Sequence, residues 1–464
     1  MINQNLLLTG DDGGYNLTNS LRFRSSASAY MNRTPASASN RQTLTFSTWV
    51  KRGLLGSTQD ILIAGSNAGG QLSAQCSFGS SDNIVLYGTI SGSAADYYLV
   101  TSQVFRDPSA WYHVVVAFDT TNATASNRVK LYVNGTQVTA FSTATYPSQN
   151  YNTAYNNTVV HTIARFSVVS ANYFDGYLAE VNFIDGQALT PSSFGSTNAL
   201  TGVWQPAKYT GTYGTNGFYL PFTNTTSTST LGNDFSGNSN TWTVNNISLT
   251  AGSTYDSMTD VPTLTSTTAA NYCTLNPLDA STTAVASNGN LKVTNSSSAN
   301  TGHSGIFCTQ AFPTSGLFYY EIKVDSFSTA SAGGFVLNGA SKDTDFSVST
   351  NLYVYATNSG VAYANGTTAY TGSTLTAGDI LGVAVDTTNG ALYFSKNNTW
   401  QNSGVPTSGA SKTGAISFTV AYNILPACYV WKSGGGDALS ANFGQQPFTY
   451  TAPSGFLPLN TFNL

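Results

Sequence analysis

The sequence predicts an all-β protein of two antiparallel β-sandwiches, and three observations carry that prediction. Aromatic residues make up 12% of the chain, with 27 Tyr and 25 Phe, so the strand formers Val, Thr, Tyr and Phe dominate where helix formers are scarce. From Leu21 onward, short runs with an apolar side chain at every second position recur, punctuated by Gly, Asn, Asp and Pro. Two stretches, "VAFDTTNATASNRVKLYVNG" from Val116 to Gly135 and "VAVDTTNGALYFSKNNTW" from Val383 to Trp400, nearly repeat each other and read as the same hairpin in two sandwiches. A chain of 464 residues is too long for one ordinary core, and 41% hydrophobic residues suffice for one in each half.

Residues 1–20, beginning "MINQNLLLTGDDGG", read as a leader whose Gly and Asp content suits docking to a partner. Residues 21–195 form the first sandwich. In "WYHVVVAF" the side chains of Tyr112, Val114, Val116 and Phe118 fall on one face, and in "VKLYVNG" Val129, Leu131 and Val133 do the same. Asn134 and Gly135 supply a pair able to take positive φ in a tight turn. The one helix start is "LTPSSFG", where Thr190 is placed to cap and Pro191 to open a helix of a turn or two.

Residues 196–270 are rich in Gly, Thr, Asn and Ser and read as a β-rich connector; Tyr219, Phe222 and Trp242 predict that it packs on a neighbour. Residues 271–464 form the second sandwich. There Leu381, Val383 and Val385 face one way, Leu392 and Phe394 answer from the next strand, and "DTTNG" turns between them.

Charge and composition exclude several functions. Only 8% of residues are charged, so hydroxyls and amides must solvate the surface. Lys and Arg number 17 against 21 Asp and Glu, without runs, which leaves no basic stripe for a nucleic acid. Nothing approaches the roughly 18 apolar residues of a membrane span, and the start lacks the basic region of a signal peptide, so synthesis in a cytoplasm without membrane insertion is expected. Cys76, Cys273, Cys308 and Cys428 stand singly with no CxxC, which predicts buried free thiols.

Reactive constellations are equally sparse. Glutamate occurs at Glu180 and Glu321 alone, in different halves of the chain, whereas glycoside hydrolysis needs two carboxylates about 5–9.5 Å apart. His113, His161 and His303 stand alone, no G-x-S-x-G elbow occurs, and "YTGTYGTNG" lacks the ending that holds a phosphate. A non-enzyme is therefore expected. Sugar binding asks for aromatic faces beside amides and hydroxyls, and Tyr97, Tyr98, Tyr363, Asn365, Asn397 and Trp400 are the candidate ligand-binding residues.

The first sandwich resembles LamG-like members of the concanavalin A-like lectin/glucanase superfamily, on "LTFSTWVKR" at 44–52, "WYHVVVAFD" at 111–119, "VKLYVNG" at 129–135 and "FDGYLAEVNFIDGQALT" at 174–190. The second resembles a SPRY domain, on "YYEIKV" at 319–324, "GDILGVAVDTTNGALYFSKN" at 378–397 and "ANFGQQPFTYTAPSGF" at 441–456. Both resemblances imply jelly rolls. The superfamily's hydrolases resemble E-x-D-x-x-E; here "EVNFID" has Asn182 in place of the middle acid, and Glu180 reads as a strand-edge polar residue.

The pairing, introduced by "DDGGYNLTNSLRFRSSASAYMNRTP" at 11–35, is similar to tail-fibre and related virion proteins of tailed bacteriophages. That likeness implies a non-catalytic virion protein, a tail fibre or receptor-binding protein contacting host surface glycan, most simply as a homotrimer, because weak single sites gain from multivalency. Other virion proteins would be met through the N-terminal segment. The alternatives are a capsid decoration or head-fibre protein and a polysaccharide hydrolase or lyase. Calcium is the one cofactor the LamG resemblance allows, at Asp11 and Asp12 or at Asp343 and Asp345.

Overall fold

Alternation of apolar and polar side chains forces these segments into strands that bury one face, and the computed structural model has that form. It describes residues 14–65, 72–90, 92, 94–167, 170–296, 302–326, 330–343, 345–431 and 436–464. Asp11 and Asp12, and the leader before residue 14, lie outside the described residues. The chain divides into one unit of residues 1–249 with 256–264 and a second of 250–255 with 265–464.

The first unit is a sandwich of two antiparallel sheets. One runs Thr136–Gln137, Val129–Val133, Trp111–Asp119, Thr43–Arg52, Gly176–Asp185, Ser20–Phe23 and Ser257–Met258, with Phe218–Leu220 also paired to Gly176–Asp185. The other runs Phe141–Thr145, Tyr97–Val104, Asn83–Thr89, Ser73–Phe78, Gln59–Gly65, Val160–Ile163, Tyr30–Arg33 and Thr243–Asn245. Phe46, Val114, Val116, Phe118, Leu131, Leu178 and Phe183 of the first sheet share a buried cluster with Met31, Ile61, Leu62, Leu86 and Leu99 of the second. Phe218, Leu220, Phe222, Trp242 and Ile247 belong to the same cluster.

The hairpin register agrees with the period-two reading, since Val114 lies opposite Val133, Val116 opposite Leu131 and Phe118 opposite Val129. Asn134 and Gly135 take φ 48 and 79 at the turn. The expected helix after Thr190 shrinks to a single 3-10 turn at Pro191–Ser193, and the Thr190 hydroxyl meets Ser192 Oγ at 2.8 Å instead of capping.

The second unit stacks a seven-stranded sheet on an eight-stranded one. The first runs Leu275–Ala280, His303–Cys308, Leu425–Trp431, Ser331–Val336, Leu352–Ala356, Val361–Ala364 and Thr367–Thr371. The second runs Ala284–Ser287, Lys292–Asn295, Ala438–Asn442, Leu317–Ser326, Ile380–Asp386, Ala391–Lys396 and Thr399–Trp400, with Ile416–Ser417 also on Ala391–Lys396. The two sheets meet so closely that a Cβ on Gly333 would fall 2.3 Å from Ile322 Cδ1, so this position admits no side chain without movement. Val383 lies opposite Phe394 and Val385 opposite Leu392, again the predicted register. Each half is thus an all-β jelly-roll sandwich.

Candidate ligand groove and buried polar groups

The outer face of one sheet in the first unit carries a groove built by strand parity. Cys76, Leu86 and Leu99 point into the core, so their neighbours Gln75, Ser77, Val85, Tyr87, Tyr98 and Val100 point out. Register then sets them side by side: Gln75 lies opposite Tyr87, Ser77 opposite Val85, Tyr87 opposite Tyr98 and Val85 opposite Val100. With Thr58, Asn83 and the turn at 79–81 they line a groove of about 530 Å³.

The Tyr87 and Tyr98 rings stand edge to face, 5.9 Å apart at 80°, and Tyr98 is 37% exposed. Gln75 Nε2 donates to Ser73 Oγ at 3.0 Å, which fixes the amide beside the rings. A Cβ on Gly79 would fall 2.4 Å from Asn83 Oδ1, so glycine keeps that end of the groove open for the amide. Among the described residues no charged side chain lines it. Aromatic faces beside hydroxyls and amides, without charge, suit the C–H face and hydroxyl edge of a neutral sugar.

The sequence-predicted residues fare differently. Tyr97 is corrected from a ligand contact to a core residue: it is fully buried, with its ring edge to face against Phe118 and Tyr151 at 5.5 and 5.9 Å. Tyr98 reaches the groove. In the second unit Tyr363 packs 6.1 Å from Phe346 and Trp400 packs on the cluster of Tyr319, Tyr393 and Phe456, on strands of different sheets.

Asn365 and Asn397 are turn residues with φ 51 and 46, and their side chains are committed. Asn365 Oδ1 accepts the Asn351 N–H at 2.8 Å; Asn397 Oδ1 accepts the Ile380 N–H at 2.8 Å, while its Nδ2 donates to Asp379 Oδ1 at 2.7 Å. Asp343 accepts from Ser281 Oγ and Asp345 from Ser347, and among the described residues no three His, Cys, Asp or Glu side chains converge to hold a metal.

Sequence reasoning missed Gln75, Asn83 and Tyr87. The alternation of "NIVLYGTI" sets Tyr87 on the face opposite Leu86, but its pairing with Tyr98 is a matter of register between strands, which alternation does not specify.

One buried arrangement resembles a catalytic dyad and is not one. Ser47 Oγ lies 2.9 Å from His113 Nε2, with the His113 ring stacked on Trp49 at a centroid distance of 4.9 Å and Trp204 6.0 Å away. The Trp204 indole N–H donates to His113 Nδ1 at 2.9 Å, so Nδ1 is the acceptor and the ring proton sits on Nε2, donating to serine. A general base would need the opposite tautomer. Burial also pushes His113 down to about 3, which keeps the ring neutral.

Glu180 is likewise corrected. It lies in a central strand, not at an edge, at a β-bulge between Ala179 and Asn182, and burial pushes its carboxyl up to about 7. Glu321 in the second unit accepts the Thr449 and Tyr450 N–H groups at 2.7 and 2.8 Å, which ties a loop to its strand.

Two jelly-roll sandwiches define a chain of lectin-like and related binding domains, folds typically without catalytic function. Residues 25–193 match the concanavalin A-like lectin/glucanases superfamily and residues 317–446 match the SPRY domain. The SPRY domain of human HERC1 is similar at 18% identity over 38% of this chain and 99% of that one, with a TM-score of 0.31. A human SPRY domain follows at 13% identity, 33% and 91% coverage and a TM-score of 0.26. The native heptameric SAP-like pentraxin from Limulus polyphemus is similar at 15% identity, 38% and 80% coverage and a TM-score of 0.29. No curated protein matches the chain. Among the described residues no helix is long and apolar enough to cross a membrane.

Proposed function

We propose that this chain is a non-catalytic, glycan-contacting protein of a tailed-phage virion, a tail fibre or receptor-binding protein. The observation that carries the reading is the uncharged groove in which Tyr87 and Tyr98 stand beside Gln75, Ser77 and Asn83. Its chemistry suits a neutral sugar of the host surface, and contact through neutral groups suits weak binding repeated over several copies, as in a homotrimer. The lectin-like fold of residues 25–193 supports the same reading, as does a groove wall without an acid pair. The N-terminal segment ahead of Tyr15 would join the protein to other virion components.

Glycan-array binding and adsorption blocking by the purified protein test the proposal. Binding to host envelope sugar with competition against phage adsorption is the expected result. Inertness to host envelope material in both assays contradicts it, and density for the chain on the capsid of an intact particle favours a head-decoration role instead.

A further inference from the structure

Glu180 is held in a conformation that an L-residue adopts only at a cost. At the bulge in the strand Gly176–Asp185 its φ is 52, a region that disfavours every side chain relative to glycine. The residue is 8% exposed, so its carboxyl is largely removed from water as well. Strain and desolvation both oppose folding, and a glycine would serve the bulge better. A group kept against two such costs points to a task other than stability.

The surroundings show what the carboxyl faces. The Tyr219 hydroxyl donates to Glu180 Oε1 at 2.7 Å, and the Tyr15 hydroxyl lies 2.6 Å from that of Tyr219 and 3.2 Å from the same Oε1. One proton per hydroxyl orders them as a chain, Tyr15 donating to Tyr219 and Tyr219 to Glu180. Burial pushes Tyr15 up to about 12 and Tyr219 higher still, so both remain donors. Oε2 accepts no hydrogen bond from the described residues. Glu180 forms part of the wall of a cavity of about 210 Å³ whose other walls include Lys208, Thr223 and Phe235, the last 49% exposed.

We propose that this cavity is a second carbohydrate site, separate from the Tyr87 and Tyr98 groove, in which Glu180 Oε2 accepts two neighbouring hydroxyls of a sugar ring. Lys208 donates to a further hydroxyl, and Phe235 takes the C–H face of the ring. A carboxylate accepting from a vicinal diol makes charge-assisted bonds, stronger than the neutral ones the groove offers. The titratable and charged groups around Glu180 are Tyr15, Tyr213, Tyr219 and Lys208. The three tyrosines are all raised by burial, so below pH 8 the carboxyl itself is the group that titrates. Hydroxyl donors favour its ionised form, so sugar binding lowers the Glu180 titration midpoint and weakens as the solution is acidified.

The chain has two glutamates, Glu180 and Glu321, so glutamate labelled with carbon-13 at the δ position gives two carboxyl signals to follow by NMR. The full-length protein is titrated in the absence and presence of methyl glucoside, galactoside and mannoside, each at about 20 mM to match a millimolar site. The expected result is that one glycoside lowers the Glu180 midpoint from about 7 by roughly one unit while the Glu321 signal does not follow.

Glu180→Gln and Phe235→Ala each weaken that glycoside at least about tenfold, whereas Tyr98→Ala leaves this site intact, so its failure and that of the groove are distinguishable. Glu180→Gly loses the binding and keeps or gains fold stability, which a structural carboxyl would not do. No midpoint shift with any glycoside, or full affinity in Glu180→Gln at pH 7.5, overturns the proposal.

Discussion

The Lys51 ammonium lies 2.7 Å from Asp260 Oδ2, and neither side chain is exposed to solvent. The Trp111 indole donates to the other oxygen at 3.1 Å, and the Asp260 carbonyl accepts from Ser20 Oγ at 2.6 Å. Asp256, four residues earlier, accepts from Arg22 and Arg24 at 3.0 and 2.8 Å. These pairs fasten residues 256–260 to the first sheet. Asp260→Ala takes the carboxylate from a buried ammonium and costs about 3–5 kcal/mol, measured by chemical denaturation. A loss under about 1 kcal/mol shows that the pair is not what holds this segment.

Three hairpins end in the same device. Asn134, Asn365 and Asn397 each take positive φ and accept, through Oδ1, a backbone N–H near the start of the strand paired with the one they follow, His113 at 2.7 Å in the first case. This is the common part of the two near-repeats in the sequence. Asn134→Gly keeps the backbone and loses one hydrogen bond, about 1 kcal/mol; Asn134→Ala adds left-handed strain for about 2 kcal/mol in total. The same order holds at Asn397. Thermal melts of the four variants check it, and equal losses for Gly and Ala contradict it.

Buried titratable groups pull stability in opposite directions. Burial holds His113 and His161 down at about 3 and 4, so their contribution is present above about 6.5 and is lost as pH falls toward 4. Asp60 is pushed up to about 7 by burial, against the opposing pull of Asn172, so its contribution is present below about 4 and is lost as pH rises through 7. The two slopes oppose each other between about 4.5 and 6.5 and flatten the profile there. Asp60→Asn deletes one slope. Its stability relative to the unaltered protein is then greater at pH 8 than at pH 5 by roughly 2–4 kcal/mol in denaturation curves at the two pH values. An equal difference at both contradicts the assignment.

All four cysteines are buried and free. Burial pushes Cys76 and Cys428 up to about 12 and raises Cys308 as well, with Cys273 at its side, so thiolate is scarce at neutral pH. A thiol reagent at pH 8 therefore leaves the native protein unlabelled and takes up all four cysteines once it is unfolded. Rapid labelling of the native form contradicts the burial.

The sequence discloses strands and their inward faces because parity is a local property: Val114, Val116 and Phe118 announce a buried face whatever they pair with. Long-range register is not local. In "DYYLV" one tyrosine must face in and one out, yet Leu99 and Val100 are both apolar and leave the parity undecided; the structure places Tyr97 inside with Leu99 and Tyr98 outside with Val100. Gln75 and Tyr87 become site residues only when three strands align, and no spacing announces that. The central place of Glu180 depends on the strands that pair on either side of Gly176–Asp185, which the motif around it does not specify. Cys273, Cys308 and Cys428, scattered along the chain, gather because strands far apart in sequence are neighbours in one sheet.

In the proposed role the Tyr87 and Tyr98 groove holds sugar without cleaving it. Calorimetric titration of the array-positive glycan into the unaltered protein and into Tyr98→Ala tests it most directly. At least a tenfold loss of affinity is expected in the variant, about 1.4 kcal/mol, with the glycan recovered intact from the unaltered protein. Undiminished affinity in Tyr98→Ala, or shortened glycan after incubation with the unaltered protein, contradicts it.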